Sequence, residues 1–360
     1  MMPFSHPLYK EDLQFLATSP FIPWDRLKGK TLILSGGTGL IGSLLVDAIM
    51  QKNLQDCLDC DIFVIGRNEE RGRKRFFQWW NSKSFHFVQA DVNKAFIEPS
   101  FGEEADFVIH LASNTHPVAY ATDPIGTITT NIIGAQNMLD LALRSHKHCR
   151  FVFASSNEIY GENRGDTECF RESDLGYIDC NTLRAGYTES KRCGEALCQA
   201  YRKQHNLDCV IARLTRSYGP TLLSSDTKAL SQFIRNALNR EDIVLKSKGD
   251  QLYSYTYAVD AVSGLLTVML AGQDGEAYNV AEESFDIPLA EIAGILARLS
   301  SKRVVFDIPD AIEAAGFSKA TKARLDGSKL RALGWKAGFS MMEGLKRTLS
   351  ILSFYEGKHH

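Results

Sequence analysis

Short runs of apolar and aromatic residues recur along the first two thirds of the chain. They are TLILS (31–35), IFVI (62–65), FHFV (85–88), FVIH (107–110), FVFAS (151–155) and CVIAR (209–213). They do not alternate with polar residues, and continuous runs of this length suit strands buried on both faces. Longer segments with helical spacing lie between them: 41–53, 126–145 and 187–205. The second of these carries Ile128, Ile132, Ile133, Met138 and Leu139. Strand and helix in alternation predict an α/β fold, a doubly wound parallel Rossmann sheet.

After Arg213 the rhythm changes. Tyr218-Gly219-Pro220 marks a turn. A helical pattern follows at 228–239, an extended one at 253–259, and further helices at 289–299 and 341–352. This half predicts a smaller mixed α/β substrate lobe. The expected division is an N-terminal extension (1–29) that packs on the body, a dinucleotide domain (30–213, with part of 255–275 returning to it), and a lobe built from 214–254 and 276–360.

Composition narrows the classes. Of 360 residues, 44% are apolar and 23% charged, the balance of an ordinary globular protein. Lys and Arg number 41 against 43 Asp and Glu, a net charge of −2. Neither nucleic acid nor an anionic membrane surface is an expected partner, and an anionic ligand must be held by local geometry. No apolar run approaches the ~18 residues of a spanning helix; 261–270 is broken by Ser263 and Gly264. The first residues lack the basic-then-apolar layout of a signal peptide, so the expected location is cytoplasmic. The eight Cys include one CxxC pair, Cys57 and Cys60. One pair without a second does not make a zinc site; reduced thiols and no metal are expected. The terminal His359 and His360 are given no role.

The first strand runs into Gly36-Gly37-Thr38-Gly39-Leu40-Ile41-Gly42 and then a helix. In that setting Gly36 permits a tight turn, Gly39 lets backbone approach a pyrophosphate, and Gly42 lets helix and strand pack. The helix N-terminus at Leu40 and Ile41 offers free N–H groups. After the second strand comes Gly66-Arg67-Asn68, where an acid would bind a ribose 2′-OH and an Arg would suit the 2′-phosphate of NADP. Arg67 leans towards NADP; with Glu69 and Glu70 interleaved among the cations, a solvated helix face stays open. Asp91 and Val92 follow the third strand, placed to meet an adenine. Leu111, Ala112 and Ser113 follow the fourth and line the same cleft.

Tyr187 and Lys191 are four apart at a helix start, hence on one face. An ammonium beside a phenol lowers its pKa and makes it a base nearer neutrality. Ser156, after the fifth strand, is placed to hydrogen-bond the same substrate oxygen.

Together GGTGLIG (36–42), HLAS (110–113), DPIGTITTNIIGAQNML (123–139), SSNEIYG (155–161), YTESK (187–191), RLTRSYGP (213–220) and LGW (333–335) resemble the extended short-chain dehydrogenases of the nucleotide-sugar epimerase/dehydratase type. The resemblance covers about 30–350. It implies a bound NAD (or NADP, from Arg67), a nucleotide-diphosphate sugar substrate and a homodimer built on the helices of 126–145 and 187–205. By resemblance Tyr187 is the base at C4, Lys191 lowers its pKa and Ser156 orients the hydroxyl. Asn131 matches an Asn that helps hold the active-site helix. The implied cofactor set is Gly36, Gly39, Leu40, Ile41, Gly42, Arg67, Asp91, Val92, Leu111, Ala112, Ser113, Asn131, Ser155, Tyr187 and Lys191.

The resemblance is closest to UDP-glucuronate decarboxylases and 4,6-dehydratases, because Glu158 stands two residues past Ser156. A 4-keto group acidifies C5–H and turns a C6 carboxylate into a β-keto acid, so Glu158 is expected to act at C5 and C6. Dehydratases carry Asp before that Glu, where this chain has Asn157. Arg184, three before Tyr187, matches the decarboxylases. The family RxxNxYGP has Arg216 at its Asn, and the family Arg of the later RDFxYVxD is Tyr253 here. Arg216 is expected to take over the diphosphate. The substrate set is then Ser113, Asn157, Arg184, Arg216 and Tyr253. An Arg is also expected before LGW, near Arg324. The alternatives are a 4-epimerase and a non-catalytic cofactor-binding scaffold.

Overall fold

The computed structural model describes residues 3–96, 98, 100–115, 117–308, 322–355 and 357. His359 and His360 lie outside them. The cofactor half runs α1 (Pro7–Thr18), β1 (Thr31–Ser35), α2 (Leu40–Asp56), β2 (Asp61–Gly66), α3 (Glu69–Arg75), β3 (Phe85–Gln89), β4 (Phe107–His110), α4 (Pro117–Thr122), α5 (Pro124–Leu143), β5 (Arg150–Ser156), α6 (Ala185–His205) and β6 (Asp208–Leu214). The second half runs β7 (Arg216–Tyr218), α7 (Ala229–Leu238), β8 (Ile243–Leu245), β9 (Leu252–Tyr257), α8 (Ala258–Ala271), β10 (Ala277–Val280), β11 (Asp286–Pro288), α9 (Leu289–Ser300), β12 (Val304–Phe306), β13 (Lys322–Ala323) and a C-terminal helix Met341–Tyr355.

The runs predicted as strands fall on β1–β6. They form a parallel sheet in the order β10-β6-β5-β4-β1-β2-β3. The interior strands are apolar because helices cover both faces: Leu32, Leu34, Val108, Phe151, Val152, Val210 and Ile211 are buried. Each such side chain contributes about 1.5–3 kcal/mol. The pairs Arg73–Glu69 and Lys74–Glu70 on α3 are exposed to solvent and screened, so packing dominates.

The order reverses between β1 and β4, and the cleft of a doubly wound sheet opens at the strand ends beside such a reversal. The strand ends there carry the glycine turn, the 111–115 segment and the Ser156 loop. β10 corrects one boundary. Residues from 276 on are predicted in the lobe, yet 277–280 pair with β6 in the central sheet. α8 (buried throughout from Ala258 to Leu270) packs against the same edge, which carries the chain back to the sheet.

The lobe's sheet centres on β9, which pairs with β7, β11 and β13. β8 and β12 form a separate parallel pair. The described part of the N-terminal extension packs on the body. Tyr9, Asp12, Leu13, Leu16 and Ala17 on α1 are buried, and α1 lies against α2, α8 and the C-terminal helix. Among the described residues no helix is long and apolar enough to cross a membrane, and no group of three or more His, Cys, Asp or Glu is placed to hold a metal.

Candidate active site

The glycine turn connects β1 to α2. Gly36 sits at φ +73°, where an L side chain is strained, and a Cβ there would lie 2.6 Å from Ala112 N. A Cβ on Gly42 would lie 2.5 Å from Gly36 O. The turn thus holds backbone against backbone. Gly39 caps α2 in extended conformation with no side-chain bond to the first turn, so the N–H groups of that turn have no side-chain acceptor. This cradle fits a dinucleotide pyrophosphate. Leu40 and Ile41 are half-buried at its rim; Leu40 O accepts from Thr221 Oγ1 at 2.7 Å, which ties the turn to the second half of the chain.

Arg67, just past β2, and Arg71, on α3, are exposed. Arg71 reaches back to Thr38 O, 3.4 Å away. Asp91 Oδ1 accepts from Asn93 N, and Val92 is buried with its carbonyl held by Asn137. Leu111, Ala112 and Ser113 are half-buried beside Gly36, and Ala112 N donates to Ser35 Oγ. Asn131 is fully buried; it donates to Ser190 Oγ at 2.9 Å, and Ser190 bonds Tyr187 O, so α5 holds the start of α6.

The residues expected to react are gathered around Tyr187. The Ser156 hydroxyl lies close enough to the Tyr187 hydroxyl to favour its ionised form, and Ser156 Oγ accepts from Glu158 N at 3.2 Å. Asn157 is buried in the same turn. Glu158 is ion-paired to Arg184, whose guanidinium lies 4.6 Å from the centre of the Tyr120 ring. Tyr120 packs on Tyr187 with ring centres 4.9 Å apart. Arg216, on β7, stacks on Tyr253 at 3.7 Å. Arg184 and Arg216 each keep one buried guanidinium nitrogen with no partner in the protein. Two unpaired buried N–H groups are costly unless an anion meets them.

Lys191 departs from expectation. Its ammonium donates to Ala154 O at 2.7 Å, and burial pulls it down to about 7. Burial pushes the Tyr187 phenol up to about 12, and Glu158 adds to the rise. Ser156, Arg184 and Arg216 pull it down. The helical spacing put both side chains on one face, but the tertiary partner of Lys191 is the β5 carbonyl.

Arg324 is not in this cluster: it pairs with Asp286 at 2.7 Å. Three residues escaped the sequence reading. Tyr120 sits in a short helix with no motif. His110 bridges Ser35 Oγ and Thr130 O, and burial pushes it down to about 3. Glu195, four past Lys191, accepts from Ser155 and Arg213; the helical spacing alone was its signal.

The model of the NAD dependent epimerase/dehydratase family matches residues 32–281. The chain belongs to that family. Two relatives are UDP-glucuronic acid decarboxylase 6 of Arabidopsis thaliana, 31% identical over 87% of this chain and 86% of that protein, and UDP-glucuronic acid decarboxylase 1 of Xenopus tropicalis, 31% identical over 89% and 71%. Among solved structures, an epimerase of Methanothermobacter thermautotrophicus superposes with TM-score 0.80 at 21% identity, covering 94% of this chain and 97% of that one. The UDP-glucuronic acid 4-epimerase of Bacillus cereus, solved with UDP-glucuronic acid and NAD, gives 0.77 at 20%, covering 90% and 99%. These structures establish the shared fold. The epimerase/dehydratase family model ends before β11 and starts after α1, so both the N-terminal extension and the last part of the lobe lie outside it.

Proposed function

We propose that this family member is a nucleotide-sugar lyase that decarboxylates a UDP-linked uronate. The observation that carries the reading is Arg184. It pairs with Glu158, borders Tyr187 through Tyr120, and keeps a buried nitrogen unpaired, which suits a substrate carboxylate at that end of the cleft. Arg216 on Tyr253 offers a second anion contact, for the diphosphate. The decarboxylase relatives support the same choice. Asn157 argues against 4,6-dehydration, because an amide cannot protonate a leaving hydroxyl.

The glycine cradle and α2 N-terminus would hold the dinucleotide's pyrophosphate, with Lys191 and Ser155 near its reactive end. When bound, the dinucleotide supplies a two-electron oxidant at C4. Tyr187 takes the C4 hydroxyl proton while Ser156 holds the oxygen. In the resulting β-keto acid the C5–C6 bond breaks, CO2 leaves, and its electron pair enters the C4 enolate. C5 then takes up the one proton that the decarboxylation consumes, drawn from solvent and relayed by Glu158, and the ketone is restored. Tyr187 would give its proton back to the C4 oxygen when the bound dinucleotide supplies the reverse reduction, so the cycle is redox-neutral. At the ribose end the chain has no acid, while Arg67 and Arg71 lie exposed beside the turn, so we read NADP as a ligand alongside NAD. Ile125 and Ile133, exposed on α5, support a homodimer through α5 and α6.

Incubation with UDP-, GDP-, CDP- and dTDP-sugars, read by mass, tests the reaction. Loss of CO2 from a uronate is expected. Loss of water would favour dehydration, and an unchanged mass with altered stereochemistry would favour epimerisation.

A further inference from the structure

Behind the catalytic helix lies a cavity of about 430 Å³, separate from the cleft and lined by Glu172, Gln199, Glu276 and Lys329 among others. Glu195 and Arg213 form part of its wall, and their side chains are only 14% and 9% exposed. Glu195 is the centre of a network. One carboxylate oxygen accepts from Ser155 Oγ and from Arg213 Nε at 3.0 Å; the other accepts from the same guanidinium at 2.7 Å. Ser155 and Arg213 are register partners on β5 and β6, so this carboxylate ties α6 to two adjacent strand ends. Arg213 continues to the Tyr160 hydroxyl at 2.8 Å and to Glu172 O. Tyr160 continues to Asn279 on β10. Ser156, close to the Tyr187 hydroxyl, is the next residue after Ser155.

We propose that Glu195 is a positioning residue of the catalytic centre, acting from outside the cleft by fixing the Ser155–Ser156 strand end and by supplying the negative charge that faces Lys191. The proposal rests on the reading of Ser156, Tyr187 and Lys191 as the reacting set. The charge argument starts from helical spacing: Glu195 stands four residues past Lys191 on α6, one turn on along the same face. Lys191 is fully inside the protein, with the Phe153 ring 5.0 Å away and Ala154 O from β5, buried His110 from β4, and Tyr187 on its own helix. His110 carries no negative charge, and Tyr187 is a neutral phenol at rest. Glu195 is the acid that favours the ammonium, against the burial that opposes it. Arg213 shares that carboxylate, so Glu195 is the one negative charge set against two cations, Arg213 and Lys191.

The sign of the effect follows. A group that must stay protonated loses function as pH rises through its pKa. Without the Glu195 charge Lys191 gives up its proton at lower pH. Glu195→Gln, which retains a carbonyl for Ser155, should lower kcat about tenfold or more, the size of one lost charge-assisted hydrogen bond, with KM for the nucleotide sugar within about twofold. The alkaline limb of the kcat profile should move to lower pH. NAD affinity, read by quenching of protein fluorescence across pH, should weaken over the same interval. Glu195→Asp, which keeps the charge, should return the limb towards that of the parent.

A Glu195→Gln protein that melts earlier but retains the parent kcat and pH limb would overturn the proposal, leaving Glu195 a purely structural acid. If Glu195→Gln does not fold, Ser155→Ala decides. It should lower kcat with the limb unmoved, and an unaltered kcat would sink the positioning role. If the parent enzyme turns over no nucleotide sugar, the proposed function fails, while the NAD-affinity profile still judges Glu195 by itself.

Discussion

Glu158 and Arg184 face each other across the mouth of the cleft as an ion pair, each held beside Tyr187 by its own element, the 3-10 turn Asn157–Tyr160 and the start of α6. The pair sets opposing influences on the phenol: the carboxylate raises its pKa and the guanidinium lowers it. A substrate anion that engages Arg184 therefore bears on both binding and base strength.

Replacing Tyr187 with Phe removes the base but leaves the cradle intact. Turnover should fall by about 10²–10⁴, the usual worth of a positioned proton acceptor. NAD affinity by calorimetry should remain within about twofold. Activity untouched by this change would discard the mechanism.

Arg184→Gln leaves Tyr187 without one of its stabilising cations. The phenol's pKa, already about 12, should rise, so the acidic limb of kcat moves to higher pH. The nucleotide-sugar Kd should weaken by about 10- to 100-fold, since a charge-assisted hydrogen bond is worth about 1.5–3 kcal/mol. A uronate should lose more affinity than the matching neutral sugar, and equal losses would remove Arg184 from carboxylate recognition.

Asp260 is a buried acid that burial pushes up to about 7, with its Oδ1 accepting from Gly338 N and its Oδ2 unpaired. Its folded pKa exceeds its unfolded value near 3.8. Its contribution is thus fully present below about 4 and lost as pH rises through 7. Asp260→Asn retains the acceptor for Gly338. It should raise Tm at pH 8 relative to the parent and change it little at pH 4. Equal shifts at both pH values would refute the assignment.

Gly42→Ala places a methyl group 2.5 Å from Gly36 O, a contact that must push the turn apart. Dinucleotide affinity should fall by an order of magnitude or more, on the scale of about 1–3 kcal/mol of local strain. Titration of fluorescence quenching with NAD and with NADP reads both this loss and the relative preference set at Arg67 and Arg71.

Most of the central sheet is legible in the sequence because strands buried on both faces leave uninterrupted apolar runs, and β1 to β6 follow them closely. The glycine turn, Ser156, Tyr187 and Lys191 are legible because spacing alone fixes their faces. The lobe is not. Strands such as β7 and β11 are three residues long, too short for any periodicity. β10 hides because its assignment depends on pairing with β6, a relationship between distant segments. Of the charged groups around Tyr187, Arg184 lies three residues before it and is legible by spacing, while Arg216 comes from β7 and becomes its neighbour only by folding.

The N-terminal helix closes a loop of contacts around the molecule. Tyr9 bonds Asp47 on α2, the helix that begins at the glycine turn. One turn on, Asp12 accepts from the Tyr257 hydroxyl on β9 at 2.6 Å and pairs with Arg347 of the C-terminal helix at 3.0 Å. β9 also carries Tyr253, under Arg216. A single helix outside the family core thus works as a tie-rod between the cofactor half and the sugar half. Held on that side, the two halves cannot part there without breaking these bonds, so any opening for a ligand is expected on the side away from α1.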